Sequence, residues 1–169
     1  MNRRVAGVGF VAALMLAGCG LQQDIGSVTN FGNGPKGPAT PITAPTVTGA
    51  TYDWSQTHGH VVVLDFWGSW CSPCNAEQPT LDTLAKQWMP KGVIFLGVDI
   101  LDTDPNAIAY EKHYGVPYPS VNDSSEVITS EYNVLDPPTV VIVDAKGNIV
   151  DRFLGTLAGV GSDLTRLTS

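Results

Sequence analysis

Cys71 and Cys74, with two residues between them, are the side chains of this chain best suited to do chemistry. They stand where the β-branched run of residues 61–66 (V-V-V-L-D-F) gives way to apolar residues at Leu81, Leu84, Ala85 and Trp88. The run reads as a strand buried on both faces, and the second pattern as one face of a helix. Cys71 is therefore expected at a helix N-terminus, where unpaired amides and the macrodipole favour negative charge. That matters because a thiolate is the nucleophile in thiol–disulfide exchange. Cys74 lies one turn further in, near enough for its sulfur to close a disulfide, and Pro73 supplies a fixed φ in the first turn. Two plainer chemistries fit the same spacing. Half of a zinc site is one, but it needs two further ligands. His58 and His60 are two apart and precede the strand, nearer its opposite end, so no metal is expected. A purely structural crosslink is the other, and so short a loop constrains little of the unfolded chain.

The third cysteine has a different setting. Arg3 and Arg4 precede an apolar run over residues 5–17, which ends in Leu16-Ala17-Gly18-Cys19. The run is shorter than the roughly 20 residues of a membrane span, and its end resembles a bacterial lipobox. That resemblance implies that residues 1–18 are a lipoprotein signal peptide and that Cys19 is lipidated. Residues 19–41 would then be the lipidated Cys and a flexible tether, because their Gly, Pro, Asn and Thr cannot bury enough surface to offset ordering entropy. Lipidation accounts for the odd cysteine and leaves Cys71 and Cys74 as a pair. Export to the bacterial cell envelope, outside the cytoplasm and anchored to the cell membrane, puts that pair where disulfides persist.

Across 169 residues, 43% hydrophobic, the chain carries a formal charge of −7. No nucleic-acid role is expected, because phosphate binding needs a basic face. One folded domain over residues 42–169 is expected. Residues 93–98 (V-I-F-L-G-V) and 139–143 (T-V-V-I-V) read as further buried strands, with a short extended piece near 119–122. Helices are expected over 105–114, with Asp104 as N-cap and Gly115 as stop, and over 124–132 and 162–167. Asp144-Ala145-Lys146-Gly147-Asn148 reads as a hairpin turn into a returning strand over 149–154. Strand–helix–strand followed by a hairpin and a last helix predicts an α/β fold with a mixed central sheet flanked by helices on both faces.

The segment W-G-S-W-C-S-P-C-N-A-E-Q-P, following V-V-V-L-D-F, resembles the thioredoxin-like proteins of the extracytoplasmic TlpA/ResA/DsbE branch. The resemblance covers about residues 42–168. It implies a thioredoxin-like fold in which residues 99–121 form the TlpA-like helix–strand insertion. It also implies that Cys71 attacks a partner disulfide, that Cys74 resolves the mixed disulfide, and that this redox-active pair needs no other cofactor. Glu77 matches an acid that tunes the thiols, and Asp65 matches a buried acid able to take a proton from Cys74. Both would raise the cysteine pKa values by repulsion and desolvation, and one of the two acids is expected to be protonated at neutral pH.

Pro138, before Thr139, matches the cis-proline that faces the cysteines and exposes a backbone edge to partners. Position 137 is itself Pro, so one of the usual amide donors to a bound peptide is absent. Trp67, Ser72, Pro73 and Pro137 complete the expected substrate-binding set. Trp67 is read chiefly as packing beside the active-site helix, and Trp70 as core more than contact. For Asp65, Glu77 and Pro137-Pro138 the plain alternatives are a structural buried acid, a solvated first-turn residue and a rigid turn.

The function implied is reduction of disulfides in exported proteins, with apocytochrome c as a client class, a membrane thiol electron donor as partner, and a monomeric state. The alternatives are a DsbA-like disulfide oxidase and a non-catalytic redox-sensing or binding module. The peroxiredoxin P-x-x-x-[ST]-x-x-C pattern is missing around Cys71, and Sco-like copper carriers use C-x-x-x-C.

Overall fold

The computed structural model describes residues 36–169. A six-stranded mixed sheet has the order β1-β8-β7-β4-β5-β6, and β2 and β3 form a separate two-stranded sheet. The strands are β1 (Gly37–Pro38), β2 (Thr43–Pro45), β3 (Thr51–Asp53), β4 (Val62–Trp67), β5 (Ile94–Ile100), β6 (Ser120–Asp123), β7 (Thr139–Val143) and β8 (Asn148–Leu154). The helices are α1 (Ser72–Trp88), α2 (Asp104–Tyr114), α3 (Val127–Glu131) and α4 (Val160–Leu167). β4, β5 and β6 run parallel, while β7, β8 and β1 are antiparallel to their neighbours.

Strand alternation divides the core. Val62, Leu64 and Phe66 face a layer made by Ile42, Tyr52, Trp54, Ile128 of α3 and Tyr132. Val61 and Val63 face Leu81, Ala85 and Trp88 of α1 and Val160 and Leu164 of α4. Trp67 meets Ala107 and Tyr110 of α2 together with both cysteines. Helices thus lie on both faces, but much of the α3 face is covered by the chain before β4. The expected insertion is present as α2 and the edge strand β6.

Two boundaries differ from expectation. Gly37 and Pro38, placed in the tether by composition, pair with Ile149 and Asn148 of β8, and Ala39 N–H donates to Gly147 O at 2.8 Å. The folded part therefore begins before residue 42, because β8 offers these residues an open sheet edge. The helix expected over 124–132 shrinks to α3. Glu126 has a left-handed backbone (φ 56°), and Asp123 accepts from Ile128 N–H and Thr129 N–H, so the helix starts only at Val127. Thr103 rather than Asp104 precedes α2 as its cap residue, and Gly115 ends that helix at φ 68°. Residues 1–35, with Cys19 and the expected leader, lie outside the described residues. Among the described residues no helix is long and apolar enough to cross a membrane.

Gly97, in register with Asp65, marks the tightest approach in the sheet. A Cβ there would collide with Ser120 Oγ and lie 2.7 Å from Trp67 Nε1. The missing side chain lets Trp67 Nε1 donate to Ser120 Oγ at 3.2 Å across β5. We expect Gly97→Ala to destabilise the fold by about 1–3 kcal/mol through overpacking, read as a lowered urea midpoint. An unchanged midpoint would show that the site relaxes freely.

Candidate active site

β4 ends at Trp67, and Gly68-Ser69-Trp70 turn the chain into α1. The turn is clamped to the end of β5. Ser69 N–H donates to Asp102 Oδ2 at 2.8 Å, and Trp70 Nε1 donates to Ile100 O at 2.9 Å. Gly68 permits this fold-over, since a Cβ would stand 2.6 Å from Trp70 Nε1. Cys71 is the N-cap of α1 and is joined to Cys74 by a disulfide. Cys74 N–H points at Cys71 Sγ at 3.2 Å, so an amide of the first turn favours negative charge on that sulfur. Both cysteines are buried, while Ser72 and Pro73 between them are exposed.

The Pro137–Pro138 bond is cis. Pro138 O accepts from Gly155 N–H at 2.9 Å, which ties this loop to the end of β8. An open groove of about 450 Å³ runs beside the disulfide loop, lined by Pro73, Glu77, Pro138, Gly155 and Leu157 among others. The fold thus brings Pro73, Glu77 and Pro138 to one depression. Pro137 is half-buried next to it.

Two carboxyl groups lie at the first turns of α1. Asp65 is buried on β4, and loss of water pushes its pKa up to about 8. A hydrogen bond from Tyr118 Oη to Asp65 Oδ2 at 3.0 Å opposes that rise, and Glu77 and Asp82 add to it. Glu77 is half-buried in the groove, and desolvation pushes it up to about 7. Burial thus moves both acids from the ordinary carboxylate range toward neutral pH.

This architecture has relatives. A Redoxin family model matches residues 33–165. The chain belongs to the Redoxin family. It is 31% identical over 107 residues to the thiol-disulfide oxidoreductase ResA of Bacillus anthracis, covering 63% of this chain and 62% of that one. ResA of Geobacillus kaustophilus is 29% identical over 134 residues, 76% of this chain and 77% of that one. The match thus spans less than two thirds of the Bacillus relative. Among solved structures, a secreted Mycobacterium tuberculosis disulfide oxidoreductase homologous to E. coli DsbE has a TM-score of 0.67 at 27% identity, covering 75% of this chain and 96% of that one. A thioredoxin family protein from Chlorobium tepidum has a TM-score of 0.72 at 23% identity, covering 81% and 99%, and shares the fold. The fold is thioredoxin-like, as the motif implied.

Within this redoxin fold the two tryptophans change places. Trp67, expected in the substrate-binding set, is 2% exposed and stacks on Tyr110 at 4.3 Å between ring centroids. It cannot touch a substrate, because strand alternation turns it under α2. Trp70, read as core, is 53% exposed, because it lies past the strand end in the turn. His60 Nδ1 pairs with Gly92 O at 2.8 Å, remote from the cysteines, and the described residues hold no cluster suited to a metal ion.

Sequence reasoning missed two buried polar residues of α1. Gln78 and Asp82 lie on the buried face of α1 with Cys74, Leu81 and Ala85. Their spacing from Cys74, four and eight residues, was the available signal: polar residues on an apolar helical face need partners. It also missed Asp99 on β5, which is fully buried with both carboxyl oxygens lacking a hydrogen-bond partner. Desolvation first, then Asp102 and Glu111, push Asp99 up to about 8.

Asp65, Asp99 and Glu77 all titrate higher in the fold than the roughly 4 of an unfolded acid. The folded state then binds more protons, so their contribution is complete below the unfolded value and is lost as pH rises through the folded one. We expect the urea midpoint of the oxidised protein to fall from pH 5 to pH 9, and Asp99→Asn to flatten that fall. A midpoint that rises over this range would contradict the assignment.

Proposed function

We propose that this chain is an extracytoplasmic thiol–disulfide oxidoreductase that reduces disulfides in exported proteins. The observation that carries the reading is the Cys71–Cys74 disulfide at the N-terminus of α1, beside a groove that cis-Pro138 and Glu77 line. The names of its relatives, thiol-disulfide oxidoreductase and secreted disulfide oxidoreductase, support it.

In the reduced protein Cys71 attacks the partner's disulfide as a thiolate. The partner's S–S bond breaks, a mixed disulfide forms, and one partner sulfur leaves as a thiolate that takes up a proton. Cys74 then gives its proton to a carboxylate and attacks the Cys71 sulfur. The second partner sulfur leaves, so the partner has gained two electrons and two protons while Cys71–Cys74 is oxidised. Asp65 is the acceptor for the Cys74 proton, because an acid titrating near 8 is closely matched to a thiol. Glu77 is the second acid of the site. A membrane thiol donor would restore the dithiol, and apocytochrome c is the client class that the family resemblance suggests.

Glu77 in the groove and Asp65 on β4, both with raised pKa values, support the reading as reductase over oxidase. A strong oxidant of this fold stabilises its reduced thiolate. Here the charged groups acting on Asp65, Glu77 and Asp82, are acidic, and ionised acids would repel a nearby thiolate. Recognition would draw on Ser72, Pro73 and the Pro137-Pro138 edge. Since Pro137 has no N–H, a bound peptide gains one backbone bond fewer there. Residues 1–35 would supply the signal peptide, the lipid on Cys19 and the tether.

The deciding measurement is the Cys71–Cys74 reduction potential by equilibration with glutathione or dithiothreitol. Thioredoxin lies near about −270 mV and DsbA near about −120 mV. We expect a value below about −220 mV, and a value above about −160 mV would make the chain an oxidant. Cys74→Ser is expected to trap the mixed disulfide on Cys71, whereas Cys71→Ser should abolish exchange. For the anchor, mass spectrometry of the membrane-extracted chain should find an N-terminal Cys19 carrying acyl chains. A water-soluble product with unmodified Cys19 would refute it.

A further inference from the structure

Five side chains, Asp65, Gln78, Asp82, Tyr110 and Tyr118, form one buried hydrogen-bonded set, and its directions are fixed by donor counting. Gln78 Nε2 donates to Asp82 Oδ1 at 2.8 Å and to Tyr118 Oη at 3.0 Å. A carboxylate only accepts, so Asp82 fixes which end of the Gln78 amide carries the N–H groups. Gln78 Oε1, on the other side, accepts from Tyr110 Oη at 3.2 Å. Tyr118 Oη, already accepting from Gln78, has one proton left to give. Asp65 Oδ2 receives it at 3.0 Å, which leaves Oδ1 as the oxygen that gains and loses the acid's own proton.

We propose that Gln78 and Tyr118 are positioning residues for the proton transfer of disulfide exchange, with Gln78 aiming the Tyr118 hydroxyl at Asp65. The inference rests on the reading of Asp65 as the proton acceptor for Cys74. It also gives the α2–β6 insertion a chemical task, since both tyrosines come from it. Tyr110 lies on α2, and Tyr118 just before β6.

Every group facing Asp65 bears on how it titrates. From α1 these are Glu77 and Asp82, with the cysteines tied in the disulfide. Tyr110 faces it from α2, and Tyr118 from the segment before β6. The register neighbours on β5 and β7, Gly97 and Val140, carry no charge. The Tyr118 hydroxyl is thus the neutral donor that favours the ionised acid against acidic surroundings. Removing it must raise the pH at which Asp65 ionises.

The test pairs a 13C NMR titration of the Asp65 carboxyl in the oxidised protein with the pH profile of mixed-disulfide resolution. Tyr118→Phe keeps the ring against Phe95, 5.7 Å between centroids, and removes only the hydroxyl. We expect it to move both the titration and the kinetic inflection upward by about one pH unit. Gln78→Leu should shift both the same way, and the double variant should shift no further than Tyr118→Phe alone, because Gln78 acts through that hydroxyl. Failure of either inflection to move in Tyr118→Phe overturns the inference. Asp65→Asn separates the two levels. If it leaves the resolution profile unchanged, Asp65 is not the acceptor and the underlying reading falls as well. If it alters the profile while Tyr118→Phe does not, only the positioning role falls.

Discussion

A carboxyl group sealed into the central strand sets the terms for this molecule. Asp65 is 2% exposed on β4, flanked in register by Gly97 and Val140. A buried acid either keeps its proton or finds donors. Here burial outweighs the single bond from Tyr118, and the group is pushed up to about 8. The neighbouring elements are built around that fact. Helix α1, which could have been apolar on its inner face, carries Gln78 and Asp82 there. The insertion brings in two tyrosines, and Trp67, two residues on from Asp65, stacks on one of them. The same constraint ties stability to proton uptake.

The two cysteines stand between opposed fields. The first turn of α1 points an amide at Cys71 Sγ and favours a thiolate. On the proposed reading, Asp65 and Glu77 would favour the neutral thiol whenever they are ionised. Their raised pKa values place the balance between these fields close to neutral pH. Clamping of the turn by Asp102 and by the Trp70–Ile100 bond holds Cys71 in that geometry. The groove beside it is open.

Much of the framework was legible along the chain. The β-branched runs at 61–66, 93–98 and 139–143 became β4, β5 and β7 because apolar, branched side chains on both faces suit an interior strand. The C-x-x-C at the end of the first run placed Cys71 at a helix start, and Gly147, at φ 82°, turned the hairpin as expected. The family resemblance implied a cis bond before Pro138, and the Pro137–Pro138 bond is cis. What failed depended on neighbours far away in sequence. Gly37 and Pro38 read as tether, since only the edge of β8 gives them a partner. The late start of α3 is a local exception, set by the left-handed Glu126 and the Asp123 carboxylate.

The sequence by itself determined the paired cysteines, the helix that carries them and the sheet that holds it. These depend on local period and on chemistry written in adjacent residues. Tertiary structure alone decided which tryptophan is core and which is surface, since that turns on where β4 ends and what packs above it. It alone decided that Asp65, Tyr118, Gln78 and Asp82 share hydrogen bonds, because Asp65 and Tyr118 are 53 residues apart and only the register of the folded sheet brings them within 3.0 Å. Desolvation belongs to the same class. No residue's neighbours in sequence say how much water it loses, and that loss is what moves the acids of this site toward neutral pH.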